Sequence, residues 1–195
     1  MIGSRSRRMR GAVDQGGRPR DPRLRAAVGS LLFLVVEPGV VAGLVPWGLT
    51  GWKVAHPPLI IAVVGYVILV AGVAVLLHAF VRFVIEGVGT PAPVAPTRHL
   101  VIGGLYRYVR NPMYVAVALT ILGQAMVLGR PVLLLYALVF GVTVGTFVRL
   151  YEQPTLTLQF GAEYEAYRDA VPAWLPRRRP WRPDHLTNRS DDAAP

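Results

Sequence analysis

The chain has 195 residues, 53% of them hydrophobic, with a mean hydropathy of +0.42 and a net charge of +10. Such apolarity excludes an ordinary soluble domain, and the length allows one domain or little more. Without cysteine there is no disulfide, thiolate nucleophile or iron–sulfur ligation, and His56, His78, His99 and His185 lack the spacing of metal ligands, so no metal site is expected.

The expected fold is all-α: a polytopic membrane bundle of about four transmembrane helices with a C-terminal amphipathic helix. Residues 1–25 carry eight arginines among Gly, Pro, Ser and Asp and predict a disordered basic tail. The positive charge sits in tails and turns rather than along an aromatic-studded groove, so its expected counter-surface is anionic lipid and not nucleic acid. Ala26 to Val45 is an apolar run of about one membrane thickness. No small-x-small cleavage site follows it, and it reads as an anchor that stays. Glu37-Pro38-Gly39 interrupts this run, and Pro38 predicts a kink there. Trp47 and Trp52 flank a polar turn as interfacial anchors.

Leu59 to Val81 predicts the second span. His78, Arg82 and Glu86 follow at i, i+4 steps and stack three polar groups on one face, directed either into a cofactor cleft or outward as a snorkelling ion pair. The segment Gly87 to Pro93 is too rich in Gly and Pro to continue a helix. Asn111 and Pro112 then give a helix start, with Asn111 as N-cap and Pro112 in the first helical position. Free N–H groups there, beside Arg107 and Arg110, suit a carboxylate or phosphate. Met113 to Leu128 predicts a third span, Gly129-Arg130-Pro131 a tight turn, and Val132 to Leu150 a fourth. Gly141 and Gly145 read as a surface for close helix packing. With four spans, every basic residue except Lys53 and Arg130 falls on one side, which predicts both termini in the cytosol. Phe160, Tyr164, Tyr167 and Val171 form one amphipathic face, with Trp174 and Trp181 at headgroup level. The membrane domain is thus expected over 26–176 and a disordered tail over 177–195.

Opposite polarities meet on the cytosolic side. The third span starts there with Arg110 and a positive dipole end, and the fourth ends there with Arg149, Glu152 and a negative one. An amino-acid zwitterion fits between them, its carboxylate on Arg110 and its ammonium on Glu152. Arg149 offers Glu152 an alternative partner.

Several motifs in this order carry a resemblance. They are Gly87-x-Gly89-Thr90, His99-Leu100-Val101, Gly104-x-Tyr106-Arg107-x-x-Arg110-Asn111-Pro112-x-Tyr114, Glu152-Gln153-Pro154-x-Leu156, and Phe160-Gly161-x-x-Tyr164-x-x-Tyr167. Together they resemble the isoprenylcysteine carboxyl methyltransferase-like integral membrane methyltransferases, a group similar to the phospholipid methyltransferases. The resemblance implies S-adenosylmethionine as methyl donor on the cytosolic side and a lipid or lipid-linked acceptor arriving from the bilayer. It implies cofactor-pocket roles for Gly87, Gly89, His99, Leu100, Tyr106, Arg110, Asn111, Tyr114, Glu152 and Gln153. Much of that family carries two acidic residues where this chain has Glu152-Gln153, which lowers the negative charge available here.

Methyl transfer from a sulfonium is an in-line displacement, so positioning and a water-poor site carry the catalysis. Arg110 or Arg149 would align a carboxylate acceptor, whereas for an amine acceptor Glu152 or a neighbour would take a proton. Two other readings fit the same residues: a membrane reductase binding a nicotinamide cofactor, and a non-catalytic membrane protein whose basic tails bind anionic lipid.

Overall fold

A computed structural model describes Val36, residues 38–87 and residues 100–182. The expected terminal tail at 1–25, Glu37, Gly89 and His99 lie outside the described residues, as do the side chain of Glu86 and the tail beyond residue 182. Among the described residues every regular element is helical. A π-helical turn (Val40–Leu44) leads into α1 (Val45–Thr50), α2 (Leu59–Gly87) follows, and a 3-10 turn (Gly104–Arg107) precedes α3 (Pro112–Leu128). Then come α4 (Pro131–Phe147), a second π-helical turn (Val148–Glu152), α5 (Gln153–Phe160) and α6 (Ala162–Ala170).

Two helical stretches, Leu59–Arg82 and Pro131–Phe160, are long and apolar enough to cross a membrane, while Val40–Thr50 and Pro112–Leu128 are shorter apolar helices. The large aliphatic side chains of α2 and α4, among them Ile60, Val67, Leu135, Leu138 and Val142, face outward. That arrangement suits a hydrocarbon surround rather than water.

The inner contact is between α2 and α3, and it is glycine-lined. A Cβ on Gly123 would stand 2.6 Å from the backbone nitrogen of Leu69, one on Gly72 would stand 2.9 Å from that of Thr120, and one on Gly65 would stand 2.7 Å from Met126 Cβ. Close approach of the two backbones therefore depends on these three residues, which were not the pair singled out by spacing. Gly141 and Gly145, expected to pack a helix, have no neighbour within 4 Å of a built Cβ among the described residues. Leu76, Ala116, Ile121, Ala125, Leu133 and Ala137 complete the buried core between α2, α3 and α4.

Each π-helical turn ends two residues before a proline, Pro46 and Pro154. A proline has no N–H for the carbonyl four residues back, and its ring crowds that carbonyl. Slipping the helix by one residue relieves the crowding: the Val45 N–H bonds Val40 O, and the Gln153 N–H bonds Val148 O. The slip also leaves carbonyls to be satisfied. Gln124 Nε2 donates to Ala42 O at 2.6 Å and Tyr136 O–H donates to Val41 O at 2.8 Å, so α3 and α4 each hold the N-terminal helix by a polar staple.

The helix expected as a fourth span does not end at Leu150, as the sequence reading had it. The helix continues through the π-helical turn into α5, which removes the negative dipole end from beside the Glu152 carboxylate.

Candidate functional site

At one end of the bundle the chain from Leu105 to Asn111 is gripped by the segment that follows α6. Arg110 N–H donates to Pro172 O at 2.9 Å, and Asn111 gives both its N–H and its side-chain Nδ2 to Ala173 O at 3.3 and 3.2 Å. Farther along, Arg177 N–H donates to Tyr108 O and Trp181 N–H to Arg107 O, each at 2.9 Å, and Arg107 Nε donates back to Trp181 O at 2.7 Å. Residues 177–181, assigned to the tail by sequence, thus form part of this clamp.

The clamp changes two expectations. Asn111 precedes α3 but makes no side-chain cap; its amide holds the strap instead. The N–H groups of Arg110 and Asn111, just ahead of the helix, are occupied by carbonyls, so these two residues offer an anion the Arg110 guanidinium and not their backbone donors.

Under the strap lies a buried aromatic cluster of Tyr164, Tyr167 and Val171, with Leu100, Phe160 and Trp181 packed against it. The amphipathic face read from Phe160, Tyr164, Tyr167 and Val171 is therefore turned into protein, where it caps the bundle. Tyr167 O–H donates to Tyr106 O at 2.7 Å, and its ring meets Trp181 at 5.4 Å between centroids. Burial pushes the Tyr167 phenol far above its ordinary value of 10.0, against a smaller downward pull from Arg110. An unfolded tyrosine releases its proton first as pH rises, so the folded state binds more protons above that value and loses stability there. Tyr167→Phe is expected to cost about 1 kcal/mol near neutral pH through the lost hydrogen bond. The same variant should show a flatter alkaline decline, read from unfolding midpoints in detergent across the alkaline range.

Three of the residues predicted from sequence converge. Tyr114, the third residue of α3, donates its hydroxyl to Glu152 Oε2 at 3.2 Å. Arg110 donates through Nη1 to Tyr164 O–H at 3.4 Å, and its Nε is buried without a hydrogen-bond partner among the described residues. Tyr164 senses both charges: burial raises its phenol, the Arg110 charge and hydrogen bond lower it, Glu152 raises it and Arg168 lowers it, with a net upward shift. The phenol is neutral at physiological pH; it accepts from the Arg110 guanidinium and lies close enough to Glu152 to feel its charge. Tyr164 was legible as one position of an amphipathic face and of the Phe160–Tyr167 motif, but was not named as a site residue; a buried hydroxyl needing a partner was the available clue.

The π-helical turn matters here, because one extra residue rotates everything after it by roughly 100° about the helix axis. Glu152 is its last residue, and the slip fixes the face from which this carboxylate meets Tyr114.

The other candidates are distributed differently. Gln153 is half-buried at the start of α5, and Arg149 is exposed on the π-helical turn. Leu100 packs in the aromatic cluster and Tyr106 in a second cluster with Ala79 and Val101, so both serve packing. Gly87 ends α2. The His78 and Arg82 face of α2 meets the 3-10 turn: a Cβ on Gly104, at φ +55°, would lie 2.8 Å from Arg82 Nε and 3.2 Å from His78 Nε2. Only glycine suits that position, both by conformation and by space.

Comparison with known proteins gives one family. The model of the phospholipid methyltransferases matches residues 60–163, which run from α2 through the start of α6 and include Arg110, Tyr114 and Glu152. No curated protein matches the chain.

Proposed function

Because this chain belongs to the phospholipid methyltransferase family, we propose that it is an integral membrane methyltransferase that uses S-adenosylmethionine to methylate a lipid acceptor. The observation that carries the reading is that opposite charges meet at Tyr164, which accepts from Arg110 and feels the charge of the Tyr114-bound Glu152. An amino-acid end needs one cation and one anion a few ångströms apart, and the buried, unsatisfied Nε of Arg110 suits a carboxylate. Glu152 would take the ammonium, and Gln153 beside it would add neutral hydrogen bonds. The motif segments 87–89 and 99–100 are proposed to complete the pocket.

When bound, S-adenosylmethionine supplies an electrophilic methyl carbon on a sulfonium. The residues of this chain do the rest. Arg110 and Glu152 fix one end of the donor, so the reaction gains from orientation rather than from a covalent intermediate. The strap over residues 107–111 and the aromatic cluster beneath it keep water out. For an amine acceptor, the anionic Glu152 carboxylate, held by the Tyr114 hydroxyl, would take the released proton; for a carboxylate acceptor, Arg149 or Arg110 would align the oxygen. Four membrane spans with both termini cytosolic complete the proposal, since that arrangement leaves only Lys53 and Arg130 opposite.

The test uses full-length protein in nanodiscs. Saturable binding of S-adenosylhomocysteine, together with labelled-methyl transfer to phosphatidylethanolamine or to a fatty acid in the same bilayer, is the expected result, and the acceptor that is labelled decides between amine and carboxylate chemistry. Binding of a reduced nicotinamide cofactor alone would overturn the proposal in favour of a reductase, and binding of neither would leave a non-catalytic membrane protein.

A further inference from the structure

The end of the bundle that carries Tyr114 opens sideways into a groove between α3 and α4 of about 370 Å³. Ala118 and Leu119 form one wall, Phe140 and Val144 the other, Gly141 and Gly145 lie on the α4 side, and Tyr114 and Trp174 stand at its head. Its size is at the lower end of small-molecule pockets, which run roughly 300–1,000 Å³. Along α3 it spans Tyr114 to Leu119, roughly 8 Å of helix axis at 1.5 Å per residue, enough for a few methylenes and too short for a whole chain. The α4 wall continues directly into the outward-facing Leu138 and Val142.

We propose that this groove holds the headgroup-proximal stretch of the hydrocarbon chain of the methyl acceptor, and that Gly141 and Gly145 set how bulky that stretch can be. The inference rests on the methyltransferase reading of the adjoining polar site for the identity of the chain's owner. Continuity carries it: Tyr114 belongs to both places, lining the groove with its ring while its hydroxyl holds Glu152. A lipid whose chain lies in the groove therefore has its headgroup directed toward the donor held at the Arg110–Tyr164–Glu152 cluster. The glycines supply the second argument. A Cβ on Gly141 or Gly145 would meet nothing among the described residues within 4 Å, so their smallness keeps a channel open in a helix whose other groove-lining residues, Phe140 and Val144, are bulky. Trp174, from the strap that also clamps Asn111, has an apolar ring and an N–H, the pairing favoured where a chain meets its headgroup.

The experiment uses the full chain in nanodiscs containing phosphatidylethanolamine with a photoactivatable diazirine near the glycerol end of one acyl chain, and maps crosslinks by mass spectrometry. Crosslinks at Ala118, Leu119 and Val144 are expected to exceed those at bilayer-facing Leu138 and Val142. Gly145→Leu should abolish the groove crosslinks, leaving those at Leu138 and Val142 and the binding of S-adenosylhomocysteine intact, and Gly141→Ala should lower them in part. Equal labelling of groove and outer face, or groove labelling that survives both substitutions, overturns the proposal. Groove labelling in a protein that binds no S-adenosylhomocysteine overturns the assignment of the chain to a methyl acceptor and with it the functional reading, whereas donor binding without groove labelling overturns the groove alone.

Discussion

Arg110→Ala is expected to weaken S-adenosylhomocysteine binding by roughly 10- to 100-fold. A hydrogen bond to a charged group contributes about 1.5–3 kcal/mol, and each 1.4 kcal/mol corresponds to about tenfold in affinity. Arg110 can give that much because its own structure leaves it under-satisfied: one contact to Tyr164 at 3.4 Å and a buried Nε with no partner among the described residues. Glu152→Gln keeps the shape of the side chain and the hydrogen bond from Tyr114 while removing the charge, and should weaken binding to a similar extent. The double variant should lose less than the two single losses added together, since both charges act on Tyr164 and on the same ligand end. The control is Arg130→Ala, which removes an equal charge at the far end of the bundle, where Arg130 Nε donates to Lys53 O; its effect should stay within about twofold, as for surface changes of up to about 0.5 kcal/mol. Calorimetric titration in nanodiscs reads all four. Equal affinities for wild type and Arg110→Ala would remove the basis for placing the donor here.

How much of this was visible in the sequence depends on whether a feature is local. The start of α3 was legible because Asn111 and Pro112 are helix-start residues wherever they occur, and Pro112 does open α3. The partners of Asn111 were not, because Ala173 lies 62 residues away and no spacing rule connects them. Arg110, Tyr114 and Glu152 were named as site residues, but the route by which they meet runs through Tyr164 and through a one-residue slip ahead of Pro154. The proline was in plain view; its remedy was not, since a π-helical turn and a helix end are equally good answers to a missing N–H. The glycines make the same point in reverse. Gly141 and Gly145 have the four-residue spacing of a packing motif and line an open groove, whereas Gly65 and Gly72, seven apart, and Gly123 carry the close contact. Spacing says which residues share a face, and only the partner helix says which face is used.

That distinction makes a strong prediction at Gly123. The smallest substitution, Gly123→Ala, adds one carbon that would stand 2.6 Å from Leu69 N and 2.8 Å from Leu69 Cα, both backbone or backbone-attached atoms that cannot rotate away. Gly72 faces the same obstacle across the interface, with Thr120 N at 2.9 Å. The helices must therefore separate, losing van der Waals contact along the seam that holds a membrane bundle together. A cost of about 3 kcal/mol, the upper end for overpacking, is expected for Gly123→Ala. Gly141→Ala, chemically the same change, meets nothing among the described residues within 4 Å and should stay within about 0.5 kcal/mol. Denaturant unfolding in mixed micelles measures both. The consequence reaches the site, because α3 carries Tyr114 and follows directly on Arg110: moving it off α2 shifts the guanidinium away from Tyr164 and the phenol of Tyr114 away from Glu152. Gly123→Ala should therefore weaken donor binding as well as stability, although residue 123 lies thirteen residues along the chain from Arg110. Unchanged stability in this variant would mean that α2 and α3 are not held at the distance that brings Arg110 and Glu152 to a common tyrosine.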